Sequence, residues 1–420
     1  MCTHTIITDK MVFGGDCIAK INGKTVFIPF SLPNETLEVE IVKQNRDYDT
    51  ARIVNIIKPS PFRREPFCPL FKTCGGCTLQ HCQDEEQSRL RAQMLKSAFE
   101  REGLEVPEIE IVSGKARNYR ARFQFHDGGL MKSQSAEVVS LNSCPCATEE
   151  VNRYLSEVSP ESRPRGRVHV FGSSCITSIP QGYDKIVIAE ERKKREPFPQ
   201  KKTERRTVNG RPLPKQKQIK KQWQGSSLEA QSPCTVEING RKISFDVQGF
   251  FQSNMEVLSK TLPLVCEGLK GSSVLDMYSG CGTFSVFLAD NFQSLTLVEH
   301  NRDALVYAEQ NLLNTRHQSF GVSGSVWVKY HAEAFVRQNG MFDAAVIDPP
   351  RSGMEKDVCK WLCSSGIPNI RSLSCDAATH ARDAAYLVKA GYRIEKLFLL
   401  DFYPQTSHIE SLAYFKREPL

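Results

Sequence analysis

"SSVLDMYSGCGTFSVFLAD", residues 272–290, decides the fold. It opens on an apolar run at Val274, turns at Gly280 and Gly282, and closes on residues apolar at helical spacing. Strand, glycine turn and helix follow one another. Glycines at such a turn let the backbone come close to a ligand at the strand's carboxyl end. The turn does not fit the G-x-G-x-x-G dinucleotide pattern. "LTLVEHN" (295–301) follows at the spacing of a second strand and ends on Glu299. A carboxylate there is set to accept hydrogen bonds from two ribose hydroxyls. Together these features favour an adenosine-type ligand. Without a P-loop lysine or a phosphate-cradling glycine run, S-adenosylmethionine is preferred over ATP or NAD.

Working outward, strands alternate with helical patterns from residue 235 to the end, which predicts βαβ units and a mostly parallel sheet. "FDAAVIDPPRSG" (342–353) reads as the fourth strand, ending in Asp348-Pro349-Pro350-Arg351. The prolines stop the strand and stiffen the loop over the substrate. Arg351 stands where enzymes that methylate exocyclic amines carry an aromatic, which argues against that class. "RSLSCDAATHARD" (371–383) is the fifth strand and delivers Cys375. A lone cysteine after an apolar run starts as a buried core thiol. The terminal hairpin "YRIEKLFLLDFYPQTSHIESLAYFKR" (392–417) brings Glu410 to the same sheet edge. Uracil C5 does not attack a methyl sulfonium unaided. A thiolate adding at C6 makes C5 nucleophilic, and a separate base then removes the C5 proton. Cys375 and Glu410 fit those two roles, and His408 reads as a packing or hydrogen-bonding residue.

Upstream of this unit, residues 1–60 read as a small β-barrel, with "KTVFIPFSLP", "ETLEVEIVKQ" and "YDTARIVNIIKPS" alternating apolar and polar residues between turn signals. Residues 61–234 form a central segment. Its "DEEQSRLRAQMLKSAFEREG" predicts a helix capped by Asp84, with Leu90, Met94, Leu95 and Phe99 on one face and Gly103 as its stop. From 108 to 190 the pattern is strand-like. "ARNYRARFQF" sets Arg117, Arg120 and Arg122 around Tyr119, a strand that grips phosphates and stacks on a base, or an ordinary half-exposed strand.

The chain carries a net charge of +7, yet residues 192–221 alone hold 13 Lys or Arg against Glu196 and Glu204. The basic balance therefore belongs to one low-complexity insert at 192–224, either a solvated linker or an RNA-contacting arm. No stretch is long and apolar enough to span a bilayer, and the start shows no basic-then-apolar leader; the expectation is a cytoplasmic protein. Fifteen cysteines, an odd number, argue against a disulfide framework and for metal or catalytic thiols. "CPLFKTCGGCTLQHC" spaces Cys68, Cys74, Cys77 and Cys82, and "NSCPC" adds Cys144 and Cys146. Soft thiolates at this density suit zinc or an iron–sulfur cluster, and spacing does not choose between them.

These motifs, in this order and over nearly the whole chain, resemble those of the RNA uracil-C5 methyltransferases, which make 5-methyluridine in ribosomal and transfer RNA. The resemblance implies a C-terminal Rossmann-like class I methyltransferase domain (235–420), an N-terminal TRAM- or OB-like barrel and a central α+β cluster-binding domain. "FFQSN" (250–254) resembles the family's cofactor motif and implies that Gln252 contacts S-adenosylmethionine, with Tyr278, Glu299 and Asp348 as further cofactor residues. Cys375 matches the nucleophile and Glu410 the base. Asp376-Ala377 replaces the family's usual Asn-Pro, and Thr283 stands at a common Asn position. The absence of a second thiol at Pro349-Pro350 favours uracil over cytosine. The C-x5-C-G-G-C run resembles that of members with a [4Fe–4S] cluster, implying Cys68, Cys74, Cys77 and Cys144 as ligands, with Cys82 and Cys146 as rivals for the fourth place. The implied partner is RNA, 23S ribosomal RNA first and the transfer-RNA T-loop second. A rival of another class is a non-catalytic RNA-binding assembly factor. No obligate protein partner is evident.

Overall fold

The structure, a computed structural model, describes residues 3–179, 184–191, 207–208, 211–212 and 232–417. Most of the basic segment 192–221 lies outside the described residues. The amino-terminal strands are β1 (Thr3–Ile7), β2 (Cys17–Ile21), β3 (Lys24–Ile28), β4 (Thr36–Gln44) and β5 (Tyr48–Lys58). They form one sheet in the order β1-β4-β5-β3-β2 that curls until β1 and β2 meet. Val26, Ile28, Leu37 and Val39 fill its interior, one face of alternating strands.

Helix α1 (Asp84–Arg101) follows. Leu90, Met94, Leu95 and Phe99 are buried as the apolar spacing predicts. The cap differs: Gln83 occupies the N-cap, and the Asp84 side chain instead pairs with Arg64 and accepts from Gln405. Then come β6 (Ile109–Val112), β7 (Arg122–His126), β8 (Leu130–Met131), β9 (Val138–Val139), α2 (Glu149–Glu157), β10 (Arg167–Gly172), β11 (Ile176–Ser178) and β12 (Ile186–Glu190). Helix α2 interrupts a stretch expected to be strands; it is a nine-residue helix that buries only Val151, Tyr154 and Leu155. The short pair β13 (Thr207–Val208) and β14 (Arg211–Pro212) and the hairpin β15 (Pro233–Ile238), β16 (Arg241–Asp246) lead into α3 (Met255–Cys266).

The remaining elements are β17 (Gly271–Met277), α4 (Ser285–Leu288), β18 (Phe292–Val298), α5 (Arg302–Asn311), β19 (His317–Phe320), α6 (Gly324–Trp327), α7 (Glu333–Asn339), β20 (Ala344–Ile347), α8 (Lys356–Ser365), β21 (Asn369–Ser374), α9 (Ala377–Lys389), β22 (Arg393–Leu400) and β23 (Glu410–Lys416). One eight-stranded sheet runs β19-β18-β17-β20-β21-β23-β22-β6. All neighbours are parallel except β23, which is antiparallel to both β21 and β22. This is the doubly wound α/β sheet expected of the carboxyl-terminal region, with an eighth strand, β6, supplied from residues 109–112.

Side chains alternate between two cores, as a sheet covered on both faces requires. Val274, Leu295, Leu297 and Val346 pack with Leu258 and Leu262 of α3 and Leu305 and Ala308 of α5. Leu275, Val298, Ala345 and Ile347 pack on the other face with Leu90 and Phe99 of α1, Val358 of α8 and Ala381 of α9. The chain order reverses between β17 and β20, so ligands are expected in the crevice at the carboxyl ends of those strands.

Candidate active site

Five loops open at that edge. Tyr278 follows β17, Glu299 follows β18, Asp348 follows β20, and Cys375 follows β21. Because β23 runs antiparallel, its first residue, Glu410, sits at the same edge. All five, with Gln252, line one cavity of about 900 Å³. Phe250, Arg120, Arg351, Tyr403, His408, Gly75 and Gly76 line it too.

At one end, the Glu299 carboxylate is fixed by backbone donors. Gly280 N lies 3.0 Å from Oε2 and Asn301 N lies 2.6 Å from Oε1. Gly280 holds φ +56° with open space where a Cβ would point, while a Cβ on Gly282 (φ +77°) would stand 3.1 Å from the Ala308 Cβ of α5. One glycine thus keeps the cavity clear and the other lets helix and turn close up. Tyr278, at φ 65°, is a non-glycine residue in the left-handed region, held there by its N–H on Val298 O at 2.8 Å. The Gln252 Oε1 and Ser279 Oγ are buried without a protein partner. A buried polar atom left unpaired is costly unless a ligand or water satisfies it. An open glycine, a carboxylate fixed by backbone donors and an orphaned amide oxygen in one cavity fit S-adenosylmethionine.

The other end is acidic, with Asp348 and Glu410 beside Cys375. Burial, with Glu299 nearby, pushes Asp348 up to about 7. Burial and the Asp348 charge push Glu410 up to about 8. Burial, Glu410 and Asp348 push Cys375 up to about 11, while Arg351, hydrogen-bonded to the thiol, pulls it down. The Glu410 carboxyl therefore acts on the thiol, and Arg351 opposes the rise at both groups. Sequence reading used Arg351 only to exclude a chemistry and missed its contact with Cys375; a basic residue after a strand-ending Pro-Pro was the available signal. It also missed Tyr403, whose ring meets His408 edge-on at 5.8 Å.

The arginine motif is corrected. Tyr119 is buried and donates its hydroxyl to Pro404 O at 2.8 Å, so it stacks on no base. Arg122 begins β7, is largely buried and donates to Gly249 O. Arg117 covers the Phe67 ring at 4.0 Å, and Arg120 alone of the four reaches the cavity.

The cysteine loops lie beside the same cavity. Cys146 Sγ is 3.7 Å from Cys77 Sγ. Hydrogen bonding from Cys146 lowers Cys77 and takes Cys144 down to about 6. Cys68 and Cys74 are raised by burial and by the neighbouring thiols Cys77 and Cys144. Cys82 is fully buried in the core, with Cys17 beside it, away from this set. Among the described residues, no three His, Cys, Asp or Glu side chains are grouped as metal ligands. The donor chemistry is that of a thiolate site; the sulfurs pair through Cys146 instead of closing on one point.

Comparison with known proteins bears on the whole chain. Residues 83–418 match the tRNA (uracil-5-)-methyltransferase family, and residues 6–54 match the TRAM domain. An RNA methyltransferase of Treponema denticola, of uncharacterised activity, is 38% identical over 99% of this chain and 100% of its own. The 23S rRNA (uracil(1939)-C(5))-methyltransferase RlmD of Marinomonas sp. is 26% identical over 99% of this chain and 95% of its own. In fold, the chain is similar to the Pyrococcus abyssi tRNA (uracil-54, C5)-methyltransferase solved with S-adenosyl-L-homocysteine, with a TM-score of 0.67, 20% identity and coverage of 98% and 100%. With the TRAM match on the curled amino-terminal sheet and the uracil-5 match on residues 83–418, the chain belongs to the tRNA (uracil-5-)-methyltransferase family and is an RNA uracil-C5 methyltransferase.

Proposed function

We propose that this enzyme methylates C5 of a uridine in 23S ribosomal RNA, with Cys375 as nucleophile and Glu410 as base. The observation that carries the reading is that both residues line the cavity that also holds Glu299 and Gln252. Bound S-adenosylmethionine supplies an electrophilic methyl group. Gln252, Tyr278, Glu299 and Asp348 hold it, Glu299 through the ribose. Cys375 Sγ adds to C6 as thiolate, helped by the Arg351 guanidinium. After methylation the C5 proton passes to Glu410, and the thiolate leaves. A base raised toward neutrality by burial suits that exchange. The uridine leaves its stack to reach Cys375.

The 23S substrate is supported by relatives named as 23S rRNA (uracil(1939)-C(5))-methyltransferases. The proposed division is a barrel at 1–60, an RNA- and cluster-binding segment at 61–234 and the methyltransferase unit at 235–420. We assign Cys68, Cys74, Cys77 and Cys144 to a [4Fe–4S] cluster, as the family resemblance implies; in support, Cys68, Cys74 and Cys77 each lie near enough to Cys144 for its charge to push them up. Such a cluster supplies a structural tie, for methyl transfer moves no electron. Iron and sulfide analysis of protein purified without oxygen tests this; zinc or no metal overturns it. No helix among the described residues is long and apolar enough to cross a membrane, and we place the enzyme in the cytoplasm with its ribosomal substrate.

Mass spectrometry of nucleosides from separated ribosomal and transfer RNA, in cells with and without the gene, tests the function. The expected result is loss of 5-methyluridine from the large ribosomal RNA. Loss confined to transfer RNA overturns the substrate, and no loss overturns the activity.

A further inference from the structure

The segment from Asp401 to Ile409 joins β22 to β23 and leads directly into Glu410. At its centre Gln405 is fully buried, at φ 68°. Every polar atom of this residue is engaged. Its N–H donates to Gln87 Oε1 at 2.9 Å, and its carbonyl accepts from Thr78 N at 2.9 Å and Leu79 N at 3.0 Å. Its Oε1 accepts from Gln87 Nε2 at 3.0 Å and Arg64 Nη2 at 3.1 Å. Its Nε2 donates to Asp84 Oδ1 at 2.7 Å and Ala116 O at 3.4 Å. Gln87 and Asp84 belong to helix α1, Thr78 and Leu79 to the turn that follows Cys77, and Arg64 and Ala116 flank them in the chain; all are remote from Gln405 in sequence. Neighbouring bonds run the same way: Ser407 N donates to Thr78 Oγ1 at 3.0 Å, and Arg91 Nη1 donates to Tyr403 O at 3.1 Å.

A non-glycine residue in the left-handed region is held there only by its surroundings. A fully satisfied buried network gives such a segment one geometry. The residues on either side, Tyr403 and Thr406, line the cavity with Glu410. We propose that Gln405 is a positioning residue for Glu410, making helix α1 and the Cys74–Leu79 turn the scaffold on which the base-bearing segment is set. The inference rests on the reading of Glu410 as base.

The step that depends on this placement is the last one. The C5–H bond breaks and its proton goes to a Glu410 oxygen. Its electron pair forms the C5–C6 double bond, and the C6–S bond breaks with its electrons returning to Cys375 Sγ. Misplacing the base lengthens the life of the covalent enzyme–RNA adduct and leaves its formation alone.

The full-length enzyme is mixed with ribosomal RNA from cells lacking the gene, plus S-adenosylmethionine, and the adduct is followed on denaturing gels. Glu410→Gln is the reference and is expected to trap it. Gln405→Ala is expected to slow adduct decay about 10- to 100-fold, the scale of a small misplacement of a reacting group. The formation rate and the KM for RNA should stay within about twofold of the parent, on the same argument. Thr78→Val, which removes one bond, should act in the same direction more weakly and decides the matter if Gln405→Ala does not fold. Adduct decay at the parental rate in folded Gln405→Ala, or in Thr78→Val where only that variant folds, overturns the positioning role. A Glu410→Gln enzyme that traps no adduct overturns the base assignment, and the positioning role with it.

Discussion

Replacing Glu410 by Gln should make the ligand-free enzyme more stable, and increasingly so as pH rises. The Glu410 carboxyl is raised from 4.5 to about 8 in the folded protein, chiefly by burial. A group raised in this way keeps its proton in the folded state over a range where the unfolded chain has lost it. Folded-state stability therefore falls with pH between the two values, and the loss is complete above the higher one. At about 1.4 kcal/mol per pH unit, the loss is about 1 kcal/mol at pH 5, about 3 at pH 7 and about 5 above pH 8. Water in the cavity screens the charge, so these are upper figures. Glu410→Gln has no proton to lose, so its advantage over the parent should follow that curve. Urea unfolding of both proteins without S-adenosylmethionine at pH 5.5, 7 and 8.5 measures it. A difference that does not change with pH refutes the buried carboxyl whose proton is held toward neutrality.

Three further outcomes are expected. Cys375→Ser should abolish methyl transfer and adduct formation while leaving S-adenosylmethionine affinity unchanged by calorimetry; retained methylation sinks the nucleophile. Glu299→Gln should weaken S-adenosylmethionine about 10- to 100-fold, the worth of a hydrogen bond to a charged group; unchanged binding would remove Glu299 from the ribose. Arg91→Ala should cost about 3–5 kcal/mol in urea unfolding, because it leaves the Asp401 charge buried with only the Ser88 hydroxyl, at 2.7 Å, to answer it, in a bridge whose side chains are 1% and 5% exposed; a change below about 1 kcal/mol would mean that water or the Ser88 hydroxyl suffices for Asp401.

Much of the site was legible because each part rests on local rules. The glycine turn after a buried strand, the acid at the end of the next strand and the thiol after the fifth are all readable without tertiary information. That Glu299 and Cys375 open on one cavity follows from topology once a parallel sheet is inferred. What stayed hidden depends on contacts between distant segments. Strand β6 reads as a strand, but its four residues "IEIV" carry nothing that announces a place beside Leu397–Leu400. Tyr119 looked like a base-stacking aromatic among arginines, yet its hydroxyl finds Pro404, which lies far along the chain. Asp84 has the right chemistry for a cap but is drawn off by Arg64 and Gln405. In each case a long-range polar partner overrode the local preference.

Strand β6 also bears on the order in which the chain is built. Ile109 pairs with Leu397, so the last strand of the sheet is synthesised almost three hundred residues before its neighbour exists. At about 5–20 residues per second, it waits roughly 15 to 60 seconds. During that interval the barrel can close on its own core, while α1 keeps Leu90 and Phe99 without the sheet face that covers them. The two ends of the polypeptide thus finish folding together, and a fragment started at residue 235 leaves the edge of β22 bare for another chain to pair with.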